Sequence, residues 1–271
     1  MRALEPIVTA NFPSDTPGAK LRREGDKINT NFDRLEEMVR PASKSLWFED
    51  FIGTWAIGDA GPADRFSTTA GAGTGNAAAT TVAASLNGEV TLKSASDDGT
   101  HAQNGSTLTA IGLAWKANSG GLVMEARVKL DAVTDVALFV GFTDTISTTV
   151  ELPIFLNASD IDSDATDACG VIFDTDGSND KWCHGGVKNG TDTVPAYAPD
   201  APAAATYYVI RVEVSAAGAV QGFINGRPIG DAVADAVTIT TALTPAIIIA
   251  NRGAAQRVAT IDYIMAQQNR A

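Results

Sequence analysis

A chain of 271 residues with 45% hydrophobic content can bury a sizeable core, and β sandwiches of this length form single domains, so size alone does not require two globular bodies. Only 19% of residues are charged, which suits short strands joined by polar turns better than helices laced with ion pairs. The net charge of −12 is unevenly spread: residues 1–45 hold eight Lys/Arg and seven Asp/Glu, leaving twelve against twenty-five in the rest. That acidic body repels phosphate backbones and has no basic strip interleaved with aromatics, so no nucleic-acid partner is expected.

No apolar run is long enough to span a bilayer, and the N-terminus lacks the apolar core of a signal peptide. We therefore expect no membrane insertion, and synthesis in a reducing cytoplasm. Cys169 and Cys183 are the two cysteines, and in such a compartment both are expected to stay reduced and structural.

Residues 1–15 carry Pro6 and Pro13 without sustained periodicity and read as an extended arm. Thr16-Pro17 is a helix start, with Thr16 as N-cap and Pro17 where its missing N–H costs nothing. Leu21, Ile28, Phe32, Leu35 and Val39 follow at spacings of seven, four, three and four, a heptad stripe that must pack on something. It fits a helix lying on the body as well as the seam of a short oligomeric bundle. Pro41 ends the helix and marks the boundary between an arm-and-helix segment, 1–44, and a body, 45–271.

The body predicts an all-β fold. Trp47, Phe48, Phe51, Trp55 and Phe66 cluster near its start. Core anchoring is preferred for them over stacking on sugar rings, because buried aromatics outnumber ligand platforms. Strand-length segments follow at Thr80–Ala84, Glu89–Lys93, Leu108–Trp115, Gly121–Leu130, Asp135–Thr143, Val150–Leu156, Cys169–Phe173, Trp182–Val187, Pro245–Ala250 and Val258–Met265. Between Tyr207 and Gly230, Tyr208, Ile210, Val212 and Val214 alternate with polar residues, and the chain returns through Val220 and Phe223 to reverse at Asn225-Gly226. Strands this short and evenly punctuated predict a two-sheet antiparallel jelly-roll sandwich.

Two acidic loops are candidate cation sites. Asp160, Asp162 and Asp164, with Asp167 beyond, offer the hard oxygen ligands calcium takes, as do Asp174, Asp176, Asn179 and Asp180 around Gly177. Neither has the glycine and glutamate positions of an EF-hand, and a solvated surface loop is the simpler reading of both. No other cofactor is indicated. Catalytic residues are not indicated either: Gly121–Leu130 offers only Glu125, where glycan cleavage needs paired carboxylates. His101 and His184 have no nucleophile elbow beside them, and Cys183-His184 supplies too few ligands for zinc. We therefore expect a protein that is not an enzyme.

Ile224-Asn225-Gly226-Arg227-Pro228-Ile229-Gly230, after Arg211-Val212-Glu213-Val214, resembles the hairpin of concanavalin A-like lectin and laminin-G jelly rolls. The glucanase branch of that fold carries Glu-x-Asp-x-x-Glu on one strand, a pattern this chain lacks. Leu122–Asp144 and Ile261-Asp262-Tyr263-Ile264 resemble sandwich domains in structural proteins of tailed bacteriophages, and Gly25–Phe32 is similar to a segment near the N-terminus of phage fibre and appendage proteins. The resemblance implies a virion protein, a capsid decoration or a head or tail fibre, held to other virion proteins by its N-terminal segment. It also implies a homo-oligomer, with a trimer seam through Leu21, Ile28, Phe32, Leu35 and Val39. The alternative is a carbohydrate-binding module that meets a host surface glycan through loop aromatics such as Trp182.

Overall fold

The computed structural model describes residues 44–51, 66–71, 77–81, 88–96, 105–110, 112–146 and 152–269. By contacts the chain divides into Met1–Ser45 and Leu46–Ala271, and the fold below is that of the second unit. The arm, the helix over 16–40 with its five seam residues, Trp55 and His101 lie outside the described residues.

In chain order the strands are β1 (Lys44–Glu49), β2 (Phe66–Ala70), β3 (Ala77–Thr81), β4 (Val90–Lys93), β5 (Gly105–Ala110), β6 (Leu122–Leu130), β7 (Val136–Thr143), β8 (Ile154–Asn157) and β9 (Asp160–Ser163). They continue with β10 (Ala168–Asp174), β11 (Cys183–Lys188), β12 (Thr191–Asp192), β13 (Ala196–Tyr197), β14 (Tyr207–Val214), β15 (Val220–Ile224), β16 (Arg227–Pro228), β17 (Thr244–Asn251) and β18 (Val258–Asn269). One sheet runs β16-β15-β14-β6-β18-β4-β3, with β1 also on β18; the other runs β12-β11-β10-β7-β17-β5-β2, with β13 also on β11. The central pairings, β6 with β14 and β18, and β7 with β10 and β17, are antiparallel and join segments far apart in sequence. This is the jelly-roll sandwich that the strand pattern predicts. Among the described residues the helical content is one 3-10 turn, Ala117–Ser119, and no helix is long and apolar enough to cross a membrane.

Alternation in β6 is strict. Leu122, Met124, Ala126, Val128 and Leu130 are buried between the sheets, while Val123, Glu125, Arg127 and Lys129 face outward, half-buried. The outward row belongs to a polar network. Arg127 Nη1 meets Asp262 Oδ2 at 2.6 Å, the Tyr263 hydroxyl donates to Glu125 at 2.8 Å, and Tyr207 donates to Glu89. Burial first, then these bonds to carboxylates, push both tyrosine pKa values up.

β7 departs from the half-buried pattern, because all eight of its residues are buried. Val136, Leu138, Val140 and Phe142 fill the space between the sheets, whereas Ala137 and Phe139 join a second core on the other face with Ile154, Leu156, Ile161 and Ile248. The β8–β9 hairpin supplies that cover, so this sheet is apolar on both faces, which its nearly unbroken apolar run reflects. Gly141 and Gly170 sit opposite each other on β7 and β10, and a Cβ on either would strike the other strand's backbone and the Phe139 ring. Their bareness leaves the space in which Phe139 lies.

The early aromatics serve mainly as core anchors. Phe51 and Phe66 are buried edge to face with centroids 5.9 Å apart, and Trp47 packs against the same core. Phe48 is the exception at 54% exposure, tilted beside Tyr263 at 6.4 Å.

Candidate functional site

The acidic segments resolve into two different arrangements. Asp160 and Asp162 lie two apart on β9 and are exposed, with Ile161 between them turned into the second core. Asp164, also exposed, follows the strand, its N–H donating to the Pro153 carbonyl. Among the described residues no three His, Cys, Asp or Glu side chains gather into a group that could hold a metal ion. The reading of this stretch as a loop is corrected: strict alternation around Ile161 makes it an edge strand of a hairpin.

Asp174 also differs from a solvated loop residue. It is fully buried in a two-pronged pair with Arg252, Nε to Oδ1 and Nη2 to Oδ2 both at 2.8 Å, and it accepts the N–H groups of Leu156 and Asp176. A carboxylate with this many donors can sit in the interior, and here it ties β8 to the end of β10. Asp167 is 4% exposed and accepts from the N–H groups of Asn189 and Thr238 and the Thr241 hydroxyl. Both acids are structural ties between loops.

Cys169 and Cys183 stand on adjacent strands as free thiols, facing opposite cores. Burial, with the nearby Asp167 and Asp174 charges, pushes both thiol pKa values up, which leaves them unreactive. His184, opposite Val171 on the neighbouring strand, is fully buried, and among the described residues neither ring nitrogen meets a partner at full hydrogen-bond geometry, the Asp231 backbone being the group that comes nearest to that role. Burial lowers its pKa from 6.5 to about 4, with the Asp231 backbone opposing.

Chemistry that could meet a ligand gathers at one edge of the sandwich, where β11 and β13 face β15 and β16. A cleft of about 560 Å3 opens there, lined by Trp182, Tyr208 and Ile229 together with Asp200, Asn225 and Arg227. Trp182 precedes β11, Asp200 lies on the loop after β13, Asn225 sits in the turn joining β15 to β16, and Arg227 opens β16. The Trp182 ring is 3% exposed, packed between Phe173 at 5.4 Å and Tyr208 at 5.7 Å. It is therefore a wall rather than an open platform, and its buried indole N–H has no hydrogen-bond partner among the described residues.

Tyr208 is held by the Ala203 N–H, which donates to its hydroxyl oxygen at 2.9 Å and leaves the O–H able to donate elsewhere. Asn225 Oδ1 accepts from the Val209 N–H at 2.9 Å, leaving its amide hydrogens for other acceptors. Arg227 and Asp200 are exposed and form no ion pair among the described residues. The sequence singles out Trp182 alone among these six. The others read as strand or turn residues, and a hairpin tip projecting polar side chains at a sheet edge is the signal that points to them.

No family model matches the chain, and no curated protein does. The fold is similar to several solved structures. A protein of unknown function from Shewanella oneidensis MR-1 superposes with a TM-score of 0.54 at 14% identity, over 89% of this chain and 96% of that one. A β-glucanase from Bacillus licheniformis gives 0.50 at 12% identity, over 82% and 97%. The carbohydrate recognition domain of Emp47p gives 0.50 at 13% identity, over 85% and 99%. The structural neighbours are thus jelly-roll sandwiches that include both a carbohydrate recognition domain and a glycoside-cleaving enzyme, and at these identities the likeness is one of fold.

Proposed function

We propose that the jelly roll is a carbohydrate-binding module and that the edge cleft is its glycan site. The observation that carries this is the cleft's lining: two aromatic side chains beside amide, hydroxyl, carboxylate and guanidinium groups, in a space of about 560 Å3. A sugar presents apolar C–H faces and a rim of hydroxyls, which such a lining can meet, and the volume lies in the range of small-molecule sites. Binding without cleavage is favoured because Asp200 is the one carboxylate in the lining among the described residues, whereas glycoside hydrolysis uses two flanking the scissile bond. A glycan array probed with the full chain tests the proposal: binding to a defined subset of glycans is expected, and a flat array would remove it. Binding should persist in chelator. Loss there would instead point to the carboxylates of Asp160, Asp162 and Asp164.

A second reading concerns residues 1–44. The resemblance of Gly25–Phe32 to phage appendage proteins, with the apolar stripe from Leu21 to Val39, supports a segment that trimerises the chain and docks it on a virion, as a capsid decoration or a fibre. The glycan-binding body would then be displayed outward. Deletion of residues 1–40 should abolish incorporation into particles, and normal incorporation would contradict this reading.

A further inference from the structure

The polar groups of the cleft are unequal in kind. Three of its side chains carry donors: the hydroxyl of Tyr208, the amide of Asn225 and the guanidinium of Arg227. Among the described lining residues Asp200 is the one side chain that can only accept.

Arg227 adds a second asymmetry. It sits in a chain of net charge −12, yet among the described residues no carboxylate pairs with it. Two other arginines are used differently: Arg211 lies 2.7 Å from Glu213, and Arg252 is locked on Asp174. An unpaired guanidinium at the mouth of a donor-rich cleft suits a carboxylate, which it can grip with two parallel hydrogen bonds.

Building on the glycan-binding reading above, we infer that the cleft selects acidic glycans, with Arg227 receiving a sugar carboxylate. Asp200, on the opposing loop, accepts sugar hydroxyls and sets a limit on affinity, because its charge repels the same ligand. Salt therefore weakens the complex, since both charges are exposed and screened.

The test uses the full chain on an array that pairs each acidic glycan with its carboxyl-reduced counterpart. Wild type should bind the acidic member of a pair in preference to the reduced one. Arg227→Gln should lower affinity for the acidic member about tenfold, the size of one charge-assisted hydrogen bond, and bring the pair close to parity. Asp200→Asn should raise affinity for the acidic member and leave the reduced one nearly unchanged. Both residues are exposed, so the variants should fold as wild type does. Equal binding of both members by wild type, with no effect of Arg227→Gln, would overturn acid selectivity while leaving glycan binding intact. A flat array would remove both.

Discussion

Asp174 shows how a single residue can hold two layers together. Its carboxylate is fully buried, and four hydrogen bonds, two of them from Arg252, replace the water it gives up. Arg252→Met leaves that charge uncompensated and should cost about 3–5 kcal/mol in urea unfolding. The double variant Asp174→Leu/Arg252→Met should recover much of the loss, and a double variant as unstable as the single would contradict this account. His184 makes the opposite case, a buried base with no full hydrogen bond among the described residues. Its folded pKa of about 4 lies below the ordinary 6.5, so the folded state binds fewer protons. The resulting stability is complete above pH 6.5 and is lost as the pH falls toward 4, by about 3 kcal/mol in all. His184→Phe should therefore lose less stability than wild type between pH 7 and pH 4, as read from unfolding midpoints. Parallel losses would contradict it. Neither arrangement was legible beforehand: Asp174 and Arg252 are 78 residues apart, and a histidine beside a cysteine says nothing of the wall it faces.

At the scale of elements, hydrophobic period was the reliable guide. The inward row of β6 and the buried Ile210, Val212 and Val214 of β14 follow directly from alternation. Where a face has an unforeseen neighbour, alternation misleads, as at β7, whose outward residues are covered by the β8–β9 hairpin. The glycines separate two kinds of constraint. Asn225 and Gly226 both have positive φ, 51° and 77°, as a tight hairpin turn requires, and a Cβ on Gly226 would meet open space. Gly226→Ala should thus cost only backbone strain, about 1 kcal/mol. Gly141→Ala places its methyl group against the backbone of β10 and the Phe139 ring, and should cost about 3 kcal/mol or more. Equal losses at the two positions, by chemical denaturation, would show that the bare strand pair has room to spare.

At the scale of the molecule, the jelly roll brings distant segments to one edge. Trp182, the loop at Asp200 and the β15–β16 turn meet only through the stacking of the two sheets. That is why Trp182 alone of the six reads from sequence as a candidate ligand contact and the rest do not: each looks ordinary in its own segment, and their meeting in one cleft is a property of the topology. The hairpin at Asn225-Gly226 reads from sequence as a turn and proves to be one wall of the cleft. On the proposed virion reading, the N-terminal segment would bear on delivery rather than recognition. Light scattering should find the full chain as a trimer and a chain starting at Ser45 as a monomer, and two monomers would end the proposal of a seam through Leu21, Ile28, Phe32, Leu35 and Val39.

Recognition at the edge cleft is the claim on which the rest depends. Ala201 lines that cleft and is exposed, so Ala201→Trp fills the mouth without disturbing the core. The decisive measurement is calorimetric titration of a glycan bound by wild type into this variant. Affinity should fall more than about tenfold, the loss of at least ~1.4 kcal/mol, with the melting temperature unchanged. An equal Kd in both proteins would place the glycan elsewhere and contradict the account.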